Sequence, residues 1–102
     1  MFGRQVTLKL KPGAGFKFVR IHQTVVTAIL REQHGFLDET IHLNLGHSEI
    51  IVCSLWNSIE DEARYEQTAH LQVLRELADV VEGTPMVKTF ELISPYVHAL
   101  AA

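Results

Sequence analysis

Ile50-Ile51-Val52-Cys53-Ser54-Leu55-Trp56-Asn57-Ser58-Ile59-Glu60-Asp61-Glu62 decides the fold. The first seven residues read as a strand that is apolar on both faces, since Ile50, Val52 and Trp56 alternate with Ile51, Cys53 and Leu55. A half-exposed sheet needs only one apolar face; a strand apolar on both needs a cover on each. The strand then runs straight into a helix. The Ser58 hydroxyl can accept from the backbone N–H of Asp61, and Glu60, Asp61 and Glu62 put negative charge at the positive end of the helix dipole. Glu60 and Arg64 stand in the favourable i,i+4 order. Trp56 sits at the strand-to-helix corner.

Working outward, residues 4–10 alternate, with Val6, Leu8 and Leu10 on one face and Gln5, Thr7 and Lys9 on the other. Lys11-Pro12-Gly13-Ala14-Gly15 breaks that strand. Phe18, Ile21, His22, Val25, Ala28 and Ile29 then fall at helical spacing, and Gly35 is a helix stop. A strand at about 37–45 places Ile41, Leu43 and Leu45 opposite Thr40, His42 and Asn44, and Gly46-His47-Ser48 forms the turn into the third strand at about 49–56. The second helical pattern runs from Ser58 to about Val81, with an irregularity near Gln67-Thr68, and Glu82-Gly83-Thr84-Pro85 ends it. A fourth strand covers about 86–93, with Met86, Phe90 and Leu92 on one side and Val87, Thr89, Glu91 and Ile93 on the other. Residues 94–102 form a C-terminal tail on a single domain spanning 1–102.

Strand, helix, strand, strand, helix, strand is the ferredoxin-like βαββαβ arrangement, an α+β fold with one antiparallel sheet and both helices on one face. The other face of that sheet has no cover from this chain, yet its third and fourth strands are apolar there. The pattern therefore predicts a homodimer packed sheet to sheet.

The 102 residues suit one domain, and roughly two-thirds of the unfolded surface of a chain this size can be buried. A net charge of −3 without a basic patch argues against nucleic acid. No secretory leader or membrane-length apolar run is visible, so neither export nor a membrane is expected. The single cysteine, Cys53, reads as a small core side chain in a reducing compartment, which gives a cytoplasmic default.

Leu10-Lys11-Pro12-Gly13, Gln33-His34-Gly35-Phe36, Ser54-Leu55-Trp56-Asn57-Ser58 and Gly83-Thr84-Pro85 resemble, in order and spacing over residues 4–93, the antibiotic biosynthesis monooxygenase (ABM) domain family. The resemblance implies a dimeric α+β barrel. It also implies a possible activity, because some members oxidise quinols or polycyclic phenols with dioxygen and no cofactor, and others cleave haem. Haem-cleaving members use an asparagine on strand one, a tryptophan on helix two and a histidine beyond it. Here Val6 and Thr7, Tyr65 and Arg75 stand at those places, which argues against haem. The cofactor-free oxygenases use a tryptophan near this strand end with tyrosine, asparagine and arginine around a pocket. Trp56 matches the first position and Tyr65 matches approximately, while no motif fixes the asparagine and arginine, for which Asn57, Asn44 and Arg64 are the candidates.

From the residues themselves, Trp56 either stacks on a planar substrate or locks the helix to the sheet as a core corner. Tyr65 either hydrogen-bonds a substrate oxygen or is a half-buried structural tyrosine. His22 shares the apolar stripe of helix one and could be a general base for a phenol or quinol; His70 on helix two is similar. His42 and Asn44 share a face of strand two, and are ligand contacts or interface residues according to where that face points. No histidine pair has metal-site spacing, and no metal or other cofactor is expected. Gly13-Ala14-Gly15 lacks the remaining elements of a phosphate loop, and mid-strand Cys53 is not a nucleophile. The leading function is a cofactor-independent oxygenase in which His22 or His70 is the catalytic base and Trp56, Tyr65, Asn44 and His42 bind a small aromatic or quinol. The rival is a non-catalytic ligand-binding or structural homodimer.

Overall fold

A computed structural model of the chain describes residues 1–44, 46 and 48–93. Its order is β1 (Phe2–Leu10), α1 (Gly15–Ile21), a π-helical turn (His22–Val26), α2 (Thr27–Arg31), β2 (Phe36–Asn44), β3 (Glu49–Trp56), α3 (Ile59–Thr68), α4 (His70–Leu77) and β4 (Val81–Glu91). The strands form one antiparallel sheet in the order β2-β3-β1-β4, the ferredoxin-like topology expected from the pattern. The expected tail at 94–102, and Leu45 and His47 at the hairpin, lie outside the described residues.

Register assigns each strand residue to a face. Phe2, Arg4, Val6 and Leu8 of β1 stand beside Trp56, Ser54, Val52 and Ile50 of β3, and this row packs under the helices. Glu39 and Ile41 continue it across β2, opposite Ser54 and Val52. The alternate row, Gly3, Gln5 and Thr7 with Leu55, Cys53 and Ile51, faces away from the helices. Cys53 is therefore not a core side chain, as the reading of the strand had it. It is half-buried on the outer face between Gln5 and Thr40.

Ser58 caps α3 as its sequence position requires, accepting from the Asp61 N–H at 3.2 Å. Arg64 reaches Asp61 at 3.3 Å rather than Glu60.

Three elements differ from expectation. The buried stripe of the first helix is Phe18, His22, Val26 and Leu30, while Val25 is half-buried and Ala28 exposed. The cause is the π turn at His22–Val26. Its wider i→i+5 turn carries the chain further round the axis, so that a strict spacing of four holds one face where 3.6 would drift. The second helix breaks at Ala69 and ends at Leu77, not Val81, so that Val73 and Leu77 are buried and Leu71 is 57% exposed. Glu82-Gly83-Thr84-Pro85, read as the helix stop, instead lies inside β4. There the pairing jumps from Lys9↔Glu82 to Thr7↔Met86, and Gly83 takes φ 73° at the irregularity. Among the described residues no helix is long and apolar enough to cross a membrane.

Candidate functional site

Between the sheet and the helices lies a cavity of about 40 Å³. Most of its wall is aliphatic, from β1, β3, the first helix and α4; the polar lining is Arg4, His22, Ser54, Tyr65 and His70. Each polar residue arrives there for a local reason. Arg4 and Ser54 occupy inward positions of adjacent strands. His22 opens the π turn. Tyr65 lies on the buried face of α3, and His70 begins α4 just after the break at Ala69.

His22 is 2% exposed and stacks on Phe18 with ring centroids 5.6 Å apart. Its Nε2 lies 2.9 Å from Glu39 Oε2, and the other Glu39 oxygen accepts from Thr27 Oγ1, also at 2.9 Å. A carboxylate only accepts, so Nε2 carries the proton, and in the neutral ring Nδ1 is left with its lone pair. That Nδ1 is buried and has no hydrogen-bond partner among the described residues. The geometry is that of a base whose tautomer and ring orientation are fixed by a carboxylate.

Arg4, 1% exposed, donates from Nη1 to Glu62 Oε1 at 2.8 Å and to Glu66 Oε2 at 3.0 Å. Its Nε and Nη2 are buried without partners among the described residues. Its guanidinium carbon stands 5.6 Å from the centre of the Tyr65 ring.

Tyr65 stacks on Trp56 at 5.0 Å, and burial pushes its phenol up to about 12. The protonated phenol points its oxygen at His70 Nδ1 at 3.4 Å, a long contact. Burial, and then the Arg4 charge, hold the His70 imidazole below its ordinary value.

The structure thus brings His22, His70 and Tyr65 to one cavity. Trp56 stands behind them. It is fully buried, with its indole N–H donated to Ser54 Oγ at 3.0 Å and its ring between Phe36 and Tyr65, so it supports the wall without forming it. His42 and Asn44 lie exposed on the outer face of β2, away from the cavity, because their parity is opposite to that of Glu39 and Ile41. Asn57 and Arg64 are exposed and do not line the cavity either. His34 is exposed and holds Asp61 at 2.7 Å; together with Ser58 it keeps that carboxyl below the usual carboxylate range.

The pattern reading missed Arg4, Glu39, Glu62 and Ser54. A signal existed for the first two. Arg4 has the inward parity of Val6 and Leu8, and Glu39 that of Ile41 and Leu43, and a charged residue on a buried row marks a polar site in the core. Among the described residues, no three His, Cys, Asp or Glu side chains converge as metal ligands would.

Comparison with known proteins places the fold. The profile of the antibiotic biosynthesis monooxygenase family matches residues 1–77. A comparison with curated proteins gives no match. Among solved structures, SnoaB, a cofactor-independent oxygenase from Streptomyces nogalater, superposes with a TM-score of 0.74 at 16% identity, over 91% of this chain and 93% of its own. A monooxygenase from the ActVA-Orf6 gene of Streptomyces coelicolor, in complex with nanaomycin D, gives 0.71 at 22% identity over 92% and 91%. A Bordetella bronchiseptica protein, provisionally named an antibiotic biosynthesis monooxygenase, gives 0.79 at 11% identity over 91% and 97%. At these identities the superpositions speak for the fold, and the profile, matching most of the chain, shows that it belongs to the antibiotic biosynthesis monooxygenase family.

Proposed function

We propose that the protein is a cofactor-independent monooxygenase acting on a small aromatic or quinol-type substrate with dioxygen. The observation that carries the proposal is His22 at the wall of the cavity, paired with Glu39 outside its lining. Buried, carboxylate-oriented and left with an unengaged nitrogen, His22 is equipped to take a proton from an acidic substrate C–H or O–H. The resulting anion gives one electron to dioxygen. The two radicals combine into a peroxide, which loses water to leave a new carbonyl. One oxygen atom enters the substrate and the other leaves as water, with substrate supplying all the electrons and protons. His70, held neutral by its burial, is the second candidate base, and the Tyr65 phenol a donor to a substrate oxygen.

One observation favours the rival, a non-catalytic ligand-binding or structural homodimer. The cavity, about 40 Å³, is well under the roughly 150 Å³ of a void that takes benzene. In the oxygenase reading the aliphatic walls yield to admit the ring. Oxygen uptake on a panel of hydroquinones and anthrones, with chelator-treated protein, separates the two. The oxygenase reading expects uptake that His22→Gln lowers by about 10²-fold or more. If wild type and His22→Gln take up oxygen equally on every panel member, the rival stands.

We further propose a homodimer through the outer sheet face. Leu55, Cys53 and Ile51 of β3 and Phe90 and the 62%-exposed Met86 of β4 flank the Gly3, Gln5 and Thr7 row of β1 there, two apolar strips for which a second copy is the self-complementary cover. The Phe90 ring already covers Gly3 on this face. Sedimentation should give a dimer at micromolar concentration, and a monomer there would dismiss it.

A further inference from the structure

We infer that Arg4 is a bidentate recognition element for a pair of adjacent oxygen atoms on the cavity's ligand, of the kind presented by an ortho-hydroxy aryl ketone. The inference deepens the reading above and rests on its premise that the cavity takes a small aromatic.

The argument begins with how the guanidinium is used. Nη1 alone meets both carboxylates, Glu62 at 2.8 Å and Glu66 at 3.0 Å. The opposite edge, Nε–H together with Nη2–H, is buried and has no partner among the described residues. Those two N–H groups lie side by side in a rigid plane, and that edge matches two acceptor oxygens placed next to each other. Leaving a buried donor unmade costs about 1–3 kcal/mol, and more on a charged group. Two such donors on one edge of one cavity-lining residue call for an acceptor that arrives with a ligand.

The surrounding charge selects among bidentate acceptors. Arg4 already faces two carboxylates, one of them on the buried Glu62. A ligand carboxylate would bring a third negative group to a guanidinium that already meets two. A neutral hydroxy-ketone offers the same two oxygens without that repulsion, its phenol proton turning from the ketone oxygen to the far side so that both oxygens accept from the fork. The ring face follows from the same residues. The Tyr65 ring, itself stacked on Trp56, lies 5.6 Å from the guanidinium carbon, so packing as well as the two carboxylates restrains the fork. Arg4 would thereby fix which edge of an aromatic ring faces the β1–α3 side of the cavity and which is left toward His22.

The test is binding, not turnover. 2-Hydroxyacetophenone presents both oxygens on one edge; 4-hydroxyacetophenone has the same atoms with the oxygens apart; salicylate carries the carboxylate. Titration calorimetry should show wild type preferring the ortho isomer over the para isomer by about tenfold, with salicylate weaker than the ortho ketone. Arg4→Lys keeps a cation for Glu62 and Glu66 but has no fork, and should bind the two isomers alike. In case that variant does not fold, the Arg4 Nε–H resonance of the ¹⁵N-labelled wild type provides a second readout. The ortho isomer should move it, and the para isomer should not. Equal affinity for the isomers, a preference that survives in Arg4→Lys, an unmoved Nε–H signal, tighter salicylate binding, or no binding by any of the three overturns the inference. Oxygen uptake in the absence of an ortho preference would leave the oxygenase reading standing without the fork. An ortho preference without oxygen uptake would leave the fork without the oxygenase.

Discussion

Glu62→Gln and Glu66→Gln remove, one at a time, two carboxylates that meet the same Arg4 nitrogen. The contacts differ little in length, 2.8 Å against 3.0 Å, but greatly in surroundings. The Glu62 side chain is 5% exposed and that of Glu66 51%. Coulomb attraction and hydrogen bonding inside a protein depend on the missing water, so burial rather than distance should set the effect. Breaking a buried pair costs about 3–5 kcal/mol because a charge is left uncompensated. Since Glu66 would still face Nη1, the Glu62→Gln loss should sit near the lower end, about 3 kcal/mol. For a domain of this length that is a fall of roughly 15 °C in Tm. Glu66→Gln removes a half-exposed partner worth under about 1 kcal/mol, and Tm should fall by no more than about 5 °C. Thermal unfolding followed by circular dichroism, at one protein concentration because association also shifts Tm, gives both numbers. Raising salt to about 1 M should shrink the Glu66 effect and leave the Glu62 effect largely intact. Equal losses in the two variants, or a Glu62→Gln protein as stable as wild type, would refute the reasoning that places Arg4 and Glu62 in a dry site.

Other outcomes follow from the same structure. Glu39→Gln leaves His22 without its fixed tautomer and should lower kcat by about 10²-fold with KM little changed; a change confined to KM would assign Glu39 to binding instead. Trp56→Ala empties a fully buried position against Phe36 and Tyr65, and chemical denaturation should show a loss of about 3–5 kcal/mol. His70, with its folded value below 6.5, binds fewer protons in the folded state than in the unfolded one. Its protonation therefore opposes folding: stability should climb as pH rises toward 6.5 and level off above it, and His70→Gln should flatten that climb in denaturation curves taken across pH. Asp61, depressed by His34 and Ser58, gives stability that is present above its ordinary 3.8 and is lost as pH falls through its lowered value, so its effect appears only in stronger acid.

The fold was legible because the strands alternate over most of their length, register shifts being confined to the start of β2 and to the Gly83 region of β4. Val6, Leu8, Ile41 and Ile50 alternate with polar or half-buried neighbours, and the helix cap at Ser58 depends only on residues beside it. The errors share a cause. Assuming 3.6 residues per turn placed Val25 and Ala28 in the core, and the π turn gave those places to Val26 and Leu30. The Gly83-Thr84-Pro85 break was read as a helix terminus, whereas pairing with β1 absorbed it as a strand irregularity. Long-range pairing overrides local signals of this kind. The site was legible only in part. His22 stood out as a histidine on an apolar stripe, but its partner Glu39 is 17 residues away and met it only through the fold. Arg4 and Glu62 are 58 residues apart. Trp56 drew attention by its chemistry and proved to be the support behind Tyr65.

Oxygen-isotope incorporation decides whether this cavity performs the proposed reaction. The panel substrate with the fastest oxygen uptake is incubated under ¹⁸O₂ with protein dialysed against chelator and free of flavin absorbance, beside His22→Gln and a protein-free control. The expected result is one ¹⁸O atom per product molecule, with the second recovered in water, at a rate that falls by about 10²-fold in His22→Gln. Product unlabelled from ¹⁸O₂, or labelled as fast in the variant or without protein, would contradict it.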